Sequence, residues 1–259
     1  MSMKTLISTA ALIAGMATIA PAATAADWTL STDVVGEYVF RGVTLAAEAI
    51  QPGVEVTLDN GLTIGAWASS GFGEQSALAD DELDLYVGYT IPFSDTFGLD
   101  VGATIYHYPE YGDLFSFGDF SDPDDASTLE LSAGTSFDLP FEPSITLFYD
   151  TSLENTTIEG GAGYSWPAGE AGSIDLGASL GYVALGADST GYGTDVFDSY
   201  TYGSASAAYS YAFSDAASGY IGLTAAASSE DTMVDVSETI PTSPETSTIF
   251  YSIGLSTGF

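Results

Sequence analysis

Apolar and polar residues alternate with a period of two along most of this chain. Between residues 247 and 259, a face of Ile, Tyr, Leu and Phe residues alternates with a face made mainly of Ser and Gly residues, and segments 173–184 and 82–91 repeat the pattern. Successive side chains of a β-strand point to opposite faces. The alternation therefore predicts strands with one apolar and one polar face, and no segment shows comparable helical periodicity.

Twelve segments follow this pattern, and the connections between them alternate in length. The predicted strands are residues 28–41, 50–58, 62–70, 82–91, 98–108, 127–137, 144–151, 156–166, 173–184, 200–213, 219–229 and 247–259. Short turns, such as Asp59-Asn60-Gly61, alternate with longer acidic connections at 42–49, 71–81, 109–126, 185–199 and 230–246; residues 152–155 are a short exception. An even strand number with short turns at one end and long loops at the other is typical of a bacterial outer-membrane barrel.

We therefore predict an all-β fold, a transmembrane antiparallel up-and-down β-barrel of about 12 strands formed by residues 26–259. Aromatic residues on the apolar phase gather at the short-turn ends of the strands, as in a membrane-interface girdle and unlike the inner face of a soluble β-sandwich. They are Trp28, Tyr89, Phe137, Tyr164, Trp166, Tyr211, Phe213 and Phe259. Phe259 on the last strand is also the predicted signal for the outer-membrane assembly machinery.

The first 25 residues have the pattern of a cleaved signal peptide. Lys4 precedes an uncharged apolar stretch from Thr5 to Ala20, and Ala23-Thr24-Ala25 supplies small residues for a cleavage site. The predicted localisation is the cell outer membrane, reached by export through the periplasm.

The chain contains 36 acidic residues and two basic ones. Lys4 would leave with the signal peptide, so Arg41 would be the single basic residue of the mature protein. This charge excludes nucleic acid and anionic surfaces as electrostatic partners and favours cations. Extreme acidity is also a way to remain soluble in saline water, and this alternative stays open.

The polar phase of the strands, taken as the interior of the barrel, is rich in carboxylates. The predicted pore-lining residues are Asp33, Glu37, Arg41, Glu55, Glu82, Asp84, Asp100, Glu130, Asp150, Glu159 and Asp175. With Arg41 as their only cationic partner, most of these acids are expected to be hydrated or to bind cations. Inward glycines are expected to leave space, and rings of acids select cations. We therefore predict a cation-preferring channel for small solutes in outer-membrane lipid. A barrel whose lumen is plugged by a loop and does not conduct stays open as the alternative.

Arg41 is predicted at the outer end of the first strand. There it could shape the pore entrance or form a plain structural ion pair, and both interpretations stay open.

The run Glu37-Tyr38-Val39-Phe40-Arg41-Gly42-Val43-Thr44 resembles the opening strand motif of the TorF-type porin family of Gram-negative bacteria. Residues 50–55, 61–69, 82–89 and 102–109 resemble its following blocks. The resemblance spans about residues 27–112 and implies an outer-membrane barrel with a porin function. The extreme acidity and the single mature Arg depart from that family.

Two other classes of function remain. The long acidic loops of a non-conducting barrel could serve as an adhesin-type surface. A lipase-type enzyme would need a histidine-activated serine, and the one histidine, His107, has no marked serine partner and is predicted to face lipid. We predict no enzyme activity and no cofactor. The chain has no cysteine, and its acidic loops lack a calcium-binding loop pattern, so no dedicated metal site is predicted.

Overall fold

The computed structural model describes residues 26–72, 81–94, 96–119, 124–186, 197–234 and 244–259. The predicted signal peptide lies outside the described residues, as do parts of the loops predicted at 71–81, 109–126, 185–199 and 230–246. The strands of the described chain are β1 (Ala26–Val35), β2 (Tyr38–Phe40), β3 (Val43–Ala46), β4 (Ala49–Leu58), β5 (Leu62–Gly71), β6 (Asp81–Ser94), β7 (Phe97–His107), β8 (Ser127–Ser136), β9 (Ser144–Asp150), β10 (Thr156–Pro167), β11 (Gly172–Ala184), β12 (Ser199–Ala212), β13 (Ala217–Ser228), β14 (Met233–Val234), β15 (Pro244–Glu245) and β16 (Ser247–Gly258).

Twelve of these strands form one closed antiparallel barrel, which confirms the predicted fold class. The order around the barrel is β1-β16-β13-β12-β11-β10-β9-β8-β7-β6-β5-β4. Closure joins the first and last strands, where Trp28 and Phe259 exchange backbone hydrogen bonds of 3.0 and 3.1 Å. Within the described residues, no helix is long and apolar enough to cross a membrane.

The two ends of the barrel differ in the length of their connections. At the turn end the strands are joined by short segments, such as residues 59–61, where Gly61 has the positive φ of 87° that a tight hairpin turn needs. At the loop end most connections are longer, including residues 36–48 and 108–126. Both Ala26 and Phe259 lie at the turn end, as an even strand number requires.

The outer face of the barrel exposes large apolar side chains. Leu180, Leu223 and Ile249 have exposed fractions of 69%, 59% and 73%. At the turn end, the predicted girdle residues Trp166, Phe213 and Phe259 are also more than half exposed. Apolar surface of this extent is unfavourable in water and matches the lipid-facing band of a membrane barrel.

The prediction of a first strand at residues 28–41 is wrong. β1 ends at Val35, and the chain then forms a separate two-stranded hairpin of β2 and β3. The strand ends just before Gly36, where a Cβ atom would lie 2.7 Å from the ring of Tyr251. Arg41 therefore does not continue the wall of the barrel, and its position is set by this hairpin.

Candidate functional site: the interior of the barrel

The hairpin of residues 36–48, here called the inner hairpin, turns tightly at Arg41-Gly42. Both residues have positive φ values, 48° and 79°, the arrangement of a two-residue type I′ turn. Glycine adopts this conformation readily, whereas an arginine there is uncommon and strained. Gly42 also has no room for a side chain, since a Cβ atom would lie 2.6 Å from Cβ of Tyr202.

The inner hairpin lies inside the barrel and reaches across it. The ring of Tyr38 packs 5.4 Å from that of Trp67 on β5, and the ring of Phe40 lies 5.7 Å from that of Tyr106 on β7. On its other side, Val43 joins a buried apolar cluster with residues of β11 and β12. Connections at the end of a barrel are usually exposed to solvent. This hairpin is buried because it points into the barrel.

Arg41 anchors the tip of the inner hairpin to the far wall. Its guanidinium donates two hydrogen bonds to the carboxylate of Glu130 on β8, with N–O distances of 2.6 and 2.9 Å. The same group stacks over the ring of Phe148 on β9, at 4.1 Å from the ring centroid. Paired donors on one carboxylate and an aromatic face are the interactions that arginine provides and lysine does not.

The electrostatics of the hairpin follow from this burial. Burial alone would lower the pKa of the Arg41 guanidinium, but the Glu130 carboxylate raises it, so the pKa ends above its ordinary value and Arg41 is charged. Burial raises the pKa of the Tyr38 hydroxyl, and the nearby carboxylates of Glu82 and Asp84 raise it further. The hairpin thus brings one fixed cation and one neutral phenol into an acidic interior.

The base of the hairpin is held by hydroxyl groups. Glu37, only 2% exposed, accepts hydrogen bonds from Thr44 at 2.7 Å and from Thr248 on β16 at 2.5 Å. Thr232, in the connection after β13, donates through its hydroxyl to the carbonyl of Gly42 and accepts from the backbone N–H of Thr44. The hairpin is therefore held at its base by Glu37, at its tip by Arg41, and by the connection after β13 through Thr232.

A cavity of about 140 Å³ remains between the inner hairpin and the wall. Asp33, Glu37, Arg41 and Glu159 line it, so it contains four of the eleven predicted pore-lining residues. Rings from the wall, among them that of Tyr220, complete the lining. The cavity is thus acidic and aromatic, and its one guanidinium is already paired.

Three carboxylates of the interior are held by the same arrangement across three neighbouring strands. A glycine on the middle strand lets a tyrosine from one side lie across it, and the tyrosine hydroxyl donates to a carboxylate on the other side. The three sets are Tyr220 over Gly254 to Asp33 at 2.7 Å, Tyr86 over Gly65 to Glu55 at 3.0 Å, and Tyr202 over Gly181 to Glu159 at 2.6 Å. These glycines do not leave open space, which corrects the prediction that they would.

Several inward acids have neutral hydrogen-bond donors within the protein, which the expectation of hydrated or cation-bound acids did not include. Asp100 accepts from Thr90 at 2.7 Å and from Ser136 at 3.3 Å. Asp175 accepts from Ser165 at 2.5 Å and from Ser173 at 3.0 Å, while Asp150 accepts from the backbone N–H groups of residues 152 and 153. Neutral hydroxyl and N–H donors thus satisfy part of the hydrogen-bonding capacity of these acids.

Glu82 and Asp84 on β6 are different. Both are almost fully buried. Oε2 of Glu82 and both carboxylate oxygens of Asp84 have no hydrogen-bond donor among the described residues, although the two carboxyl groups lie within hydrogen-bond distance of each other. Tyr108 donates to the remaining oxygen, Oε1 of Glu82, at 3.3 Å. The structure brings these two acids together, with Glu130 and Arg41 close by, whereas Asp100 and Asp175 lie towards the turn end.

The sequence contained a signal for the inner hairpin. Arg41-Gly42 separates two short runs of β-branched and aromatic residues by two positions, as in a tight hairpin. The period-two pattern continues through Gly36, however, so the run resembles one long strand. The sequence also contained no signal for the tyrosines that donate to Asp33, Glu55 and Glu159, because each tyrosine lies two strands away from its acid.

His107 is buried and does not face lipid, which corrects a further expectation. Its exposed fraction is 6%, and its Nδ1 atom lies 2.9 Å from Oγ of Ser127 and 3.1 Å from the carbonyl oxygen of Ala126. A serine partner thus exists, contrary to the prediction. Ser127 is fully buried, however, and a nucleophile must be reached by its substrate, so the pair does not have the geometry of a hydrolase site.

Together, the barrel and its interior define a porin-type fold. The structure is similar to that titled "NanC porin", with a TM-score of 0.60 and 12% identity over 88% of this chain and 98% of that one. It is also similar to a structure titled "KdgM porin", with a TM-score of 0.50 and 11% identity over 89% of this chain and 99% of that one. LpxR from Salmonella typhimurium gives a TM-score of 0.50 and 8% identity over 88% of this chain and 99% of its own.

In sequence, residues 20–139 match the model of a family described as "Bacterial protein of unknown function (Gcw_chp)". The sequence matches no curated protein. The family description does not carry the TorF name, so the resemblance to TorF-type porins stays a prediction. The structural matches are too distant in sequence to indicate more than the fold.

Proposed function

We propose that this protein is an outer-membrane channel through which small solutes diffuse passively, with a preference for cations. The observation that supports it best is the charge of the interior. Carboxylates line a closed barrel from several strands, and the single guanidinium among them is already paired with Glu130. Acidic rings attract cations and repel anions in a pore.

The outer-membrane location is part of the proposal. The exposed apolar band and the aromatic residues at the turn end fit a lipid bilayer with its two interfaces. The loop end would face the exterior and the turn end the periplasm. Phe259, exposed on the last strand, fits the proposed role as assembly signal.

The inner hairpin gives the proposed channel its narrow section. It crosses the interior near the loop end, and the cavity lined by Asp33, Glu37 and Glu159 lies between it and the wall. A solute passing this section would contact carboxylates and tyrosine hydroxyls. Small hydrated cations and small polar solutes fit such a lining better than anions or bulky molecules.

The test is conductance of the purified barrel in a planar lipid bilayer under a potassium chloride gradient. We expect discrete steps and a reversal potential on the cation side. Glu159→Gln removes a carboxylate of the cavity and should shift the reversal potential towards zero. Glu170→Gln removes the same charge from an exposed turn and serves as the matched control.

A folded barrel without conductance steps would contradict the channel, and the acidic loops would then become the candidate as a binding surface. Steps with an anion-side reversal potential would contradict the cation preference alone. Equal shifts in both glutamate variants would indicate a general effect of surface charge and would remove the cavity from the account of selectivity.

A further inference from the structure

Two carboxyl groups on β6 have fewer donors than the other predicted pore-lining acids: Tyr108 donates to one oxygen of Glu82, and Asp84 has no donor among the described residues. Glu82 and Asp84 are 3% and 1% exposed. Both carboxylate oxygens of Asp84 and Oε2 of Glu82 are without a hydrogen-bond partner among the described residues. A buried ionised carboxylate without a partner is strongly unfavourable, so these three oxygens need an explanation.

Asp84 is surrounded by aromatic side chains and is almost inaccessible to solvent. Its paired neighbours across the sheet are Trp67 on β5 and Tyr106 on β7, both buried. Tyr38 of the inner hairpin packs against Trp67 and covers the site from the interior. The aromatic neighbours limit the access of water that would otherwise solvate the charge.

Charge is also unbalanced here. Glu82 and Asp84 are two positions apart on one strand, so both point to the same side and interact directly, and Glu130 lies close enough to act on Asp84. The nearby cation is Arg41, but both of its terminal nitrogens bind Glu130. The two carboxyl groups lie within hydrogen-bond distance of each other, and when both are ionised their charges have no free counter-charge at this place.

The available atoms are those that hard cations prefer. Carboxylate oxygens of Glu82 and Asp84 meet at the site, and the hydroxyl oxygens of Tyr108 and Tyr38 lie against Glu82. Ca²⁺ and related ions bind oxygen ligands of this kind. Among the described residues, no group of three or more acidic, histidine or cysteine side chains is arranged around a common point, so tyrosine oxygens and water would complete the coordination.

We propose that Glu82 and Asp84 form a binding site for a hard metal cation beside the inner hairpin. The ion supplies the positive charge that Arg41 cannot, and it accounts for the three oxygens without partners. Because Tyr38 covers the site, the bound ion also stabilises the seated position of the hairpin. The site lies near the loop end of β6.

The test measures thermal unfolding of the purified, folded barrel in detergent micelles, with Ca²⁺ as the probe and EDTA as the reference. Ca²⁺ should raise the Tm of the wild-type protein. Asp84→Asn, which keeps the size of the side chain, should lose this rise and bind Ca²⁺ at least about tenfold more weakly by calorimetry. In EDTA, the same variant should be at least as stable as the wild type, because it removes an uncompensated charge.

Asp100→Asn is the matched control, because Asp100 is an inward carboxylate with two hydroxyl partners. It should keep the full Ca²⁺ effect. Glu82→Gln provides a second test of the site if Asp84→Asn does not fold. An equal rise of Tm in all variants would assign Ca²⁺ binding to the acidic loops and overturn the site.

A shared proton is the competing explanation for the pair. It predicts no Ca²⁺ effect and a wild-type protein that becomes more stable in EDTA as the pH is lowered to about 5, where carboxylates bind protons. That result would also overturn the cation site. None of these measurements depends on conductance, so the cation site and the proposed channel can fail separately.

Discussion

The interior of the barrel is organised differently near its two ends. Near the loop end, the inner hairpin fills the space, and carboxylates meet partners from distant parts of the chain, as Glu130 meets Arg41, 89 residues away. Near the turn end, Asp175 accepts from serines only two and ten residues away, on its own strand and the adjacent one. The same residue type on the same phase thus binds a distant partner at one end and donors that are close in sequence at the other.

The glycines of the interior show the same contrast. At Gly181, a Cβ atom would lie 2.3 Å from the ring of Tyr202, so the glycine makes room for a tyrosine. At Gly163, towards the turn end, the nearest atom would be 3.7 Å away, an ordinary contact. The interior is therefore close-packed around Gly181 and open around Gly163.

The largest effect is expected from removing the inner hairpin. Replacing residues 37–47 by Asn-Gly would join β1 to β4 through a short turn and open the packed half of the interior. Single-channel conductance should rise severalfold, because the narrow section of the proposed channel would be gone. Since this also removes the partner of Glu130, the deletion is made together with Glu130→Gln, and Glu130→Gln alone is the control. Unchanged conductance would mean that the hairpin does not limit passage.

The next effect concerns the ion pair at the hairpin tip. Arg41→Ala leaves Glu130 buried without its cation and should lower the free energy of unfolding by about 3–5 kcal/mol, measured by urea titration of the folded barrel. The double variant Arg41→Met with Glu130→Leu removes both charges and should recover most of that loss.

Conductance of Arg41→Ala separates the two roles of this residue. A changed conductance would support a part in shaping the channel. Lower stability with the same conductance would mean that Arg41 is only a structural anchor. The contacts of the inner hairpin would then stabilise the barrel without controlling the passage of solutes.

The smallest effect is expected from a single methyl group. Gly181→Ala should displace the Tyr202 ring and weaken its hydrogen bond to Glu159, at a cost of about 1–3 kcal/mol. Gly163→Ala, on the same inward phase, should change the free energy of unfolding by about 0.5 kcal/mol or less. If urea titration gave the same change in the free energy of unfolding for both variants, the interior would be equally packed around Gly181 and Gly163.

Much of the wall could be predicted from the sequence. Strand alternation, the Asn60-Gly61 turn and the alternating connection lengths led to twelve antiparallel strands, and the structure confirms the closed barrel. Of the predicted strands, only the first has the wrong extent by more than a few residues. Local patterns suffice here because each strand has one apolar outer face, and a shift by one residue would turn that face inward.

The contents of the barrel could not be predicted in the same way. The partners of Asp33, Glu55 and Glu159 are tyrosines two strands away, and local patterns do not reveal such pairs. Arg41 was placed correctly in the interior but on the wrong element, since the direction of the inner hairpin depends on the walls it meets. Ser127 beside His107 was missed for the same reason.

The sequence by itself determined the strands, the face that each turns outward and the excess of negative charge, because these depend on local alternation and composition. Only the tertiary structure decided that residues 36–48 fold inward, that Arg41 binds Glu130, and that three carboxylate oxygens of Glu82 and Asp84 are buried without a donor among the described residues. Those outcomes depend on contacts between residues far apart in the chain, and such contacts exist only once the barrel has closed.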